Sequence, residues 1–383
     1  MTITGPLVLP AGLLLVPAAD LAPDLRGRLD WQEGDVALTH PRSRTPSRVV
    51  DRGTAELLEE FRHPRTIVEA VVRHARLHDL DPEITLVEAY PLLERLVAVG
   101  FLVPGGSPDA SAILPALLPG SEVGGFAVSL CVQSLEDCEL YQVLGAAVRA
   151  PRIDRGDRRG TAALKIERLA APGRRGLAGG TLEREAAILT HLGGVASPRL
   201  LRLGVYGGRR FLLLEWCPGV DAAAAASELR RQGREGRAGL AALSLAVLDA
   251  YVRLHARGVL HGDVHPRNVL IGPDGAARLV DFGLAAWEGT PAALGRPGRG
   301  GVPFYYEPEY ARATLAGDRV PAASPAGEQY AVAALLYLLW TGTHYRDFSL
   351  GRDEMLHQIA EEPPLRWAER HTEPWPELEA VLG

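Results

Sequence analysis

The stretch HGDVHPRNVL, from His261 to Leu270, together with DFG at 281–283, decides the fold. Asp263, Asn268 and Asp281 follow one another within this short region. Carboxylate and amide oxygens are the ligands that Mg²⁺ prefers in proteins, and a carboxylate can also orient or deprotonate a hydroxyl group. DFG alone is a common turn string, but the combined pattern is hard to meet by chance. The three side chains predict a site for a hard cation and an acceptor hydroxyl.

A hairpin is predicted between two of these residues. The segment VLIGPDGAARLV (269–280) has the turn signal Pro273-Asp274-Gly275 between two β-type runs. Because a hairpin brings its ends together, Asn268 and Asp281 should meet at one edge and act as two metal ligands.

Two charged residues upstream could act together, because Lys165 can reach nucleotide phosphates if its flexible stem is held and Glu185 could pair with it. Lys165 lies in the β-type run TAALKI, and Glu185 lies in the helical segment EREAAIL. Either residue alone would usually be solvated. Phosphoryl transfer needs little covalent help from a protein, but it needs the phosphates, the metal ions and the acceptor to be held in place. The set therefore predicts phosphoryl transfer from a nucleotide.

With these motifs in this order, residues 122–383 resemble a eukaryotic-type protein kinase domain. The resemblance implies an α+β, bilobal fold, with an N-lobe at 122–217 and a C-lobe at 218–383. It also implies ATP and Mg²⁺ as cofactors and three roles for the motif residues. These roles are a catalytic aspartate (Asp263), a strand lysine with its helical partner (Lys165 and Glu185), and two metal ligands (Asn268 and Asp281).

The resemblance also assigns nucleotide contacts. Leu214 falls at the gatekeeper, so Glu215 and Cys217 are expected to offer backbone groups to adenine. The family's glycine-rich loop aligns with VQSLEDCELYQV (132–143), where Gln133, Leu135 and Cys138 occupy the glycine positions. Side chains at these positions should hinder the close approach of backbone N–H groups to phosphates. A pseudokinase scaffold is therefore an open alternative.

Other departures keep further alternatives open. The arginine usual before the catalytic aspartate is Gly262, which argues against control by activation-loop phosphate, and the usual lysine after it is His265. The HGD-x-H form resembles aminoglycoside- and choline-kinase-like phosphotransferases, so a small-molecule acceptor is one alternative and a regulatory Ser/Thr kinase is another. Glu307-Pro308-Glu309 resembles the motif that closes the activation segment, and Glu328 stands where the family usually has aspartate. The family's large lobe normally continues beyond WPELEAVLG, so a trimmed lobe or a longer natural chain is expected.

Composition narrows the partners. A net charge of −6 over 383 residues argues against a nucleic-acid partner, because phosphate binding needs a concentrated basic face. Three cysteines without a CxxC pair indicate a reducing, cytoplasmic location. The apolar start LVLPAGLLLVP is interrupted by prolines and lacks a basic segment before it, so neither a signal peptide nor a membrane span is predicted.

The first 104 residues form a separate predicted domain, followed by a Gly/Pro/Ser-rich linker at 105–121. Two β-type runs, VALTH (36–40) and SRVVD (47–51), precede three helical patterns. Thr66 with Glu69 and Thr85 with Glu88 predict capping boxes at two helix starts, and Pro91 should kink the third helix or cost it a bond. This order of elements predicts a winged helix.

These segments resemble the PqqD-like domain, or RiPP recognition element, which binds leader peptides of ribosomally made natural products. The resemblance implies that an edge strand adds an extended peptide by β-augmentation. The expected peptide-binding residues are those of this strand, next to the helix 86–99: Ser47, Arg48, Val49, Val50 and Asp51. Packing on the kinase part or binding DNA are the alternatives, and the acidic third helix region disfavours DNA. RIO-type kinases also join a winged helix to a kinase fold, but they lack DFG.

Together the two halves predict an enzyme of lanthipeptide-type biosynthesis. The leader of a precursor peptide would bind the first domain and so raise the effective concentration of core Ser/Thr residues at Asp263. Phosphorylation would prepare dehydration, with a separate lyase and a cyclase as partners.

Overall fold

The computed structural model describes residues 5–21, 31–39, 48–111, 114–135, 137–145, 160–168, 180–349, 352–370, 372–373 and 375–382. The chain forms two compact units. One contains Met1–Val123, Ala127–Gln142 and Ile166–Leu177, and the other contains Gly124–Phe126, Val143–Lys165 and Ala178–Gly383.

The N-terminal segment has two small sheets. Strands β2 (Leu14–Pro17), β3 (Val36–Thr39) and β4 (Arg48–Val50) form an antiparallel sheet in the order β2-β3-β4. Strand β1 (Leu7–Val8) pairs with β5 (Val103–Pro104). The sequence predicted β3 and β4 but missed β1 and β2, because the prolines that interrupt this apolar run lie at strand ends or between strands. Among the described strands, β4 lies at one edge of this sheet.

Three helices complete this segment: α1 (Arg52–Glu59), α2 (Ile67–Leu77) and α3 (Pro82–Ala98). The predicted capping box of Thr66 and Glu69 is confirmed at the start of α2. The predicted box of Thr85 and Glu88 is wrong. Helix α3 begins earlier, because the Asp81 side chain accepts hydrogen bonds from the backbone N–H groups of Glu83 and Ile84. The helix continues through Pro91.

The packing between these elements is apolar. The sheets and helices share one core, whose fully buried members include Leu38, Leu58, Phe61, Leu93 and Phe101. The three helices follow β3 and β4 and precede β5, whereas β1 and β2 were not expected from the sequence.

A six-stranded sheet follows. Its strands are β6 (Glu122–Val123), β7 (Phe126–Ser134), β8 (Cys138–Gly145), β9 (Gly160–Glu167), β10 (Leu200–Tyr206) and β11 (Arg209–Glu215). Strands β10 and β11 form an antiparallel hairpin around Gly207-Gly208. Helix α4 spans Thr181–Leu192. The six strands lie in the order β10-β11-β9-β8-β7-β6.

The remaining part is mainly helical and carries the predicted hairpin. Strand β14 (Val269–Ile271) pairs with β15 (Ala277–Leu279), so the hairpin prediction is confirmed, and β12 (Val220–Asp221) joins its other edge. Strands β13 (Val259–Leu260) and β16 (Ala286–Trp287) form a separate pair. The helices are α5 (Ala222–Arg231), α6 (Arg237–His255), α7 (Pro308–Ala316), α8 (Pro325–Thr341), α9 (Arg352–Glu361) and α10 (Pro376–Leu382).

Helix α6 is the one helix, among the described residues, that is long and apolar enough to cross a membrane by length and composition. Core helices of water-soluble proteins pass the same test. Several side chains of α6 are buried within the protein, including Leu243, Val247 and Leu254. Other side chains of α6, including Leu245 and Val252, are exposed.

Candidate active site

Lys165 on β9 is held between two carboxylates. Its ammonium group donates to Glu185 Oε2 at 2.7 Å and to Asp281 Oδ1 at 2.8 Å. Strand β9, helix α4 and the segment after β15 thus bring together three residues that lie far apart in the sequence. The flexible lysine stem is thereby fixed, as a phosphate-binding lysine requires.

Glu185 is almost fully buried, with 1% of its surface exposed. Burial raises the pKa of the Glu185 carboxyl, and the ammonium of Lys165 opposes this rise. The second carboxylate oxygen of Glu185 accepts a hydrogen bond from the backbone N–H of Phe282 at 3.2 Å. Glu185 therefore positions both Lys165 and the DFG segment.

Asp281 adopts a left-handed backbone conformation, with φ of +67°. Aspartate tolerates this region better than most residues, and the following residues Phe282–Leu284 form a 3-10 turn. The buried Phe282 ring packs against His261, with ring centroids 5.0 Å apart. The left-handed residue is thus held by packing directly after it.

Asp263 and Asn268 are joined by side-chain contacts. The amide nitrogen of Asn268 donates to both the backbone oxygen and Oδ2 of Asp263, each at 3.0 Å. Because the amide nitrogen faces Asp263, the Asn268 amide oxygen is the atom that could bind a cation. The other carboxylate oxygen, Asp263 Oδ1, is buried and has no hydrogen-bond partner among the described residues.

Asn268 and Asp281 fit a magnesium ion by their chemistry. They provide an amide and a carboxylate oxygen, which are ligands for a hard cation. Among the described residues, no group of three or more His, Cys, Asp or Glu side chains could hold a metal ion. Such a pair suits Mg²⁺, which usually binds to one or two protein ligands together with phosphate oxygens.

The backbone that leads into Asp263 is held by Glu328, near the start of α8. Its carboxylate accepts hydrogen bonds from the N–H groups of His261 and Gly262 at 3.0 and 2.8 Å, and it also contacts His255 Nε2 at 2.7 Å. Gly262 has φ of +73°, and a Cβ atom there would lie 2.4 Å from the carbonyl oxygen of Leu284. A side chain at this position would therefore overlap with the backbone of Leu284.

A loop from Arg299 to Glu307 covers Asp263. A Cβ atom added to Gly301 would lie 3.0 Å from Asp263 Oδ1. The Tyr306 hydroxyl donates to the Gly301 carbonyl at 3.1 Å, and one guanidinium nitrogen of Arg299 contacts both oxygens of the buried Glu307 at 2.6 Å. The small cavity beside Asp263 has a volume of about 40 Å³.

The residues assigned to adenine lie at the end of β11. The backbone N–H of Glu215 donates to Arg199, so its carbonyl is the group that remains to meet a nucleotide. The Cys217 thiol lies 3.9 Å from that carbonyl, and burial raises its pKa to about 11. This thiol is therefore protonated near neutral pH.

Gln133 lies in β7, and Leu135 lies in the turn between β7 and β8. The N–H of Leu135 donates to the Cys138 carbonyl at 2.9 Å, which closes the turn. The Leu135 carbonyl in turn accepts a hydrogen bond from Arg168 Nε. These hydrogen bonds join the end of β7 to the start of β8 and to Arg168.

Of the residues predicted to bind peptide, Arg48, Val49 and Val50 form the edge strand β4. Asp51 lies outside the strand, because its carboxylate caps α1 by accepting from the Thr54 N–H at 2.9 Å. Ser47 lies outside the described residues.

Sequence reasoning missed several residues of these sites. Arg168 and Arg299 carried no motif signal, because single charged residues are ordinary on a protein surface. Glu307 was noted as part of the Glu-Pro-Glu motif, but its pairing with Arg299 was not expected. Glu328 was noted only as a departure from the family pattern.

The comparisons with known proteins agree with this geometry. The family described as "Protein kinase domain" matches residues 159–380. CBL-interacting protein kinase 4 of Oryza sativa subsp. japonica is 33% identical over 172 residues, which is 44% of this chain and 34% of that protein. Aurora kinase B of Danio rerio is 34% identical over 131 residues, 33% of this chain and 38% of that protein. Aurora/IPL1-related protein kinase 2 of Caenorhabditis briggsae is 29% identical over 164 residues, 42% and 49% respectively. The chain thus spans less than half the length of each of these curated relatives.

Proposed function

The chain belongs to the protein kinase family, and we propose that it is an ATP-dependent Ser/Thr kinase. We further propose that its substrate is a ribosomally made precursor peptide. The observation that carries the transfer step is the Lys165 ammonium held at 2.7 Å from Glu185 and 2.8 Å from Asp281. This arrangement holds the Lys165 ammonium at a fixed place, where it can contact phosphate oxygens.

The proposed reaction uses Asp263 as the base. Its buried Oδ1 takes the proton of a serine or threonine hydroxyl, and the hydroxyl oxygen forms a bond to the γ-phosphorus of ATP. The bond from that phosphorus to the β,γ-bridging oxygen breaks, and ADP leaves with the electron pair. Asn268 and Asp281 would hold Mg²⁺, which when bound neutralises charge on the phosphates.

The N-terminal segment supports a peptide acceptor. Strand β4 pairs with β3 on one side only among the described strands, so its other edge can receive an extended peptide. On helix α3, Ile84 and Val87 are 60% and 75% exposed, which offers apolar contacts to a bound peptide. A leader held here keeps the core of the same peptide close to the kinase part. A separate lyase and a cyclase would then complete the dehydration and the ring closure.

The test is to incubate the protein with ATP, Mg²⁺ and a short Ser/Thr/Cys-rich peptide encoded in a neighbouring reading frame, and then to weigh the peptide. We expect phosphorylation of the full precursor and much less of the same peptide without its leader. Equal phosphorylation with and without the leader would leave a regulatory Ser/Thr kinase as the better description.

A pseudokinase scaffold is the second candidate. It is favoured by the turn between β7 and β8, where Gln133, Leu135 and Cys138 occupy positions that are usually glycine. Calorimetry with ATP and Mg²⁺ separates the two, because the absence of nucleotide binding under every condition would favour the scaffold.

A further inference from the structure

A second cavity lies next to the small one at Asp263. Its volume is about 550 Å³, and Gly262 and Arg299 line both cavities. Cavities that bind small molecules commonly have volumes of about 300–1,000 Å³. Lys165 and Asp281 do not line this cavity, so it is distinct from the proposed nucleotide and metal site.

The walls of this second cavity are mainly apolar. Its apolar lining comes from the paired strands β13 and β16, from the turn after DFG and from the segment before α8, and it includes Val259, Leu260, Leu284, Ala286, Trp287 and Ala322. The Trp287 ring stacks on His191, with ring centroids 4.1 Å apart, so its orientation is fixed. Apolar walls favour a ligand with an apolar body, because both surfaces leave water on binding.

The charged side chains at the cavity favour an anion. Two arginines and one glutamate line it: Arg296, Arg299 and Glu288. Arg296 and Glu288 are exposed. Arg299 binds Glu307 through one guanidinium nitrogen, but its Nε is buried and has no hydrogen-bond partner among the described residues. A buried donor without a partner is costly, and an acceptor atom of a ligand would remove that cost.

We propose that this cavity is a binding site for a small molecule with an apolar body, of the size of two or three rings, and one anionic group such as a carboxylate or a sulfonate. The apolar body contacts Leu260 and Trp287, and the anionic group meets Arg296 and Arg299. An occupant also contacts the loop that begins at Arg299 and covers Asp263. The inference goes beyond the proposed function, because it concerns neither the nucleotide nor the peptide.

The test uses two fluorescent probes with similar aromatic rings and the full chain. Anilinonaphthalene sulfonate carries an anionic group, and phenylnaphthylamine lacks it. The titrations are carried out with and without an excess of ATP–Mg²⁺. We expect each probe to bind at one saturable site whether or not the nucleotide is present, and the sulfonate to bind more tightly.

Arg296→Gln tests the anionic group. An exposed charge contact contributes little, so the Kd of the sulfonate should rise about two- to fivefold, while that of phenylnaphthylamine stays the same. Arg253→Gln is the matched control, because Arg253 forms an exposed pair with Asp249 and does not line the cavity. Both arginines are exposed, so these variants should fold like the wild type.

Ala322→Phe tests the location. Ala322 is exposed and lines the cavity, and a phenyl ring there would occupy space that the probe needs. The Kd of both probes should rise about tenfold. Ala238→Phe is the matched control, because Ala238 is an exposed alanine of α6 that does not line the cavity.

The outcomes decide between the cavity and other places. Weaker binding of both probes to Ala322→Phe, with Ala238→Phe unchanged and with a loss for the sulfonate alone in Arg296→Gln, supports the site. Absence of saturable binding to the wild type, displacement of the probes by ATP–Mg²⁺, or unchanged Kd values in Ala322→Phe overturns it. Equal effects of Arg296→Gln on the two probes overturn the anionic part of the ligand. These readouts need no phosphoryl transfer, so this inference and the proposed function can fail separately.

Discussion

Glu328 accepts a hydrogen bond from the backbone N–H of Gly262 at 2.8 Å, across 66 positions of sequence. The backbone immediately before Asp263 is therefore held by a buried carboxylate of α8. The sequence showed glutamate where the family usually has aspartate, and the structure shows that the glutamate side chain still reaches this backbone.

Replacing Glu328 should alter the acid sensitivity of folding. Burial alone would raise the pKa of Glu328, but hydrogen bonding with His255, the charge of His261 and the N–H groups of Gly262 and His261 together lower it below 4.5. A lowered pKa adds stability above the unfolded value, and this stability is lost as the pH falls through the folded pKa. Glu328→Gln should cost about 1.5–3 kcal/mol at pH 7 and flatten the decline of Tm below about pH 4.5.

The measurement is Tm by calorimetry between pH 3 and 8. Glu309→Gln is the control, because Glu309 is an exposed glutamate in the first turn of α7. A Glu328→Gln variant whose Tm follows that of the wild type at every pH would contradict the prediction.

Gly262 should not accept a side chain. Gly262→Ala places a Cβ atom 2.4 Å from the Leu284 carbonyl, at a φ of +73°. Gly258→Ala is a matched control, because Gly258 has φ of +68° and nothing within 4 Å of the added Cβ atom. Both variants bear a backbone cost of about 1–2 kcal/mol. Gly262→Ala should lose more stability than Gly258→Ala, as measured by urea unfolding, and equal losses would show that the overlap is relieved easily.

Asp263→Asn should abolish phosphoryl transfer without unfolding the protein. The asparagine has nearly the same shape, but its side chain cannot take the hydroxyl proton, so the rate should fall by about 10²–10⁴. Asp249→Asn serves as a control, because Asp249 forms an exposed pair with Arg253. Turnover of Asp263→Asn near the wild-type rate would show that another group is the base.

Nucleotide binding should be weak and should depend strongly on Mg²⁺. The aligned positions Gln133, Leu135 and Cys138 carry side chains instead of glycines, which should hinder the close approach of backbone N–H groups to phosphates. The phosphate charge is then balanced mainly by Lys165 and by the ion that Asn268 and Asp281 would hold. Calorimetry with and without a chelator measures this dependence, and tight ATP binding in the absence of divalent ions would contradict it.

The product should be a phosphopeptide. Elimination needs a base for the α-proton and cationic groups for the leaving phosphate, whereas the role proposed for Asp263 is to receive a hydroxyl proton. Arg299, which lines the cavity beside Asp263, is already bound to Glu307. Mass spectrometry should show a peptide about 80 Da heavier that accumulates when the separate lyase is absent. Dehydrated peptide formed by the purified protein alone would contradict the prediction of a phosphopeptide product.

Several turns and helix starts could be predicted from the local sequence. The Pro273-Asp274-Gly275 turn predicted the β14–β15 hairpin, because turn residues and alternating apolar runs act over a few positions. The box of Thr66 and Glu69 predicted the start of α2 for the same reason. The start of α3 was predicted wrongly at Thr85, because Asp81 followed by proline forms an equally local and stronger helix start.

The sequence by itself determined the family and the order of its motifs, because the spacing of HGD, asparagine and DFG is a property of one continuous segment. Tertiary structure alone decided which distant groups meet. The pairing of Lys165 with Glu185 was expected only through the family resemblance, and the contact of Glu328 with Gly262 and of Arg168 with Glu139 had no local signal. Such contacts depend on how strands and helices pack, and a single charged residue looks the same in sequence whether it is solvated or buried against a partner.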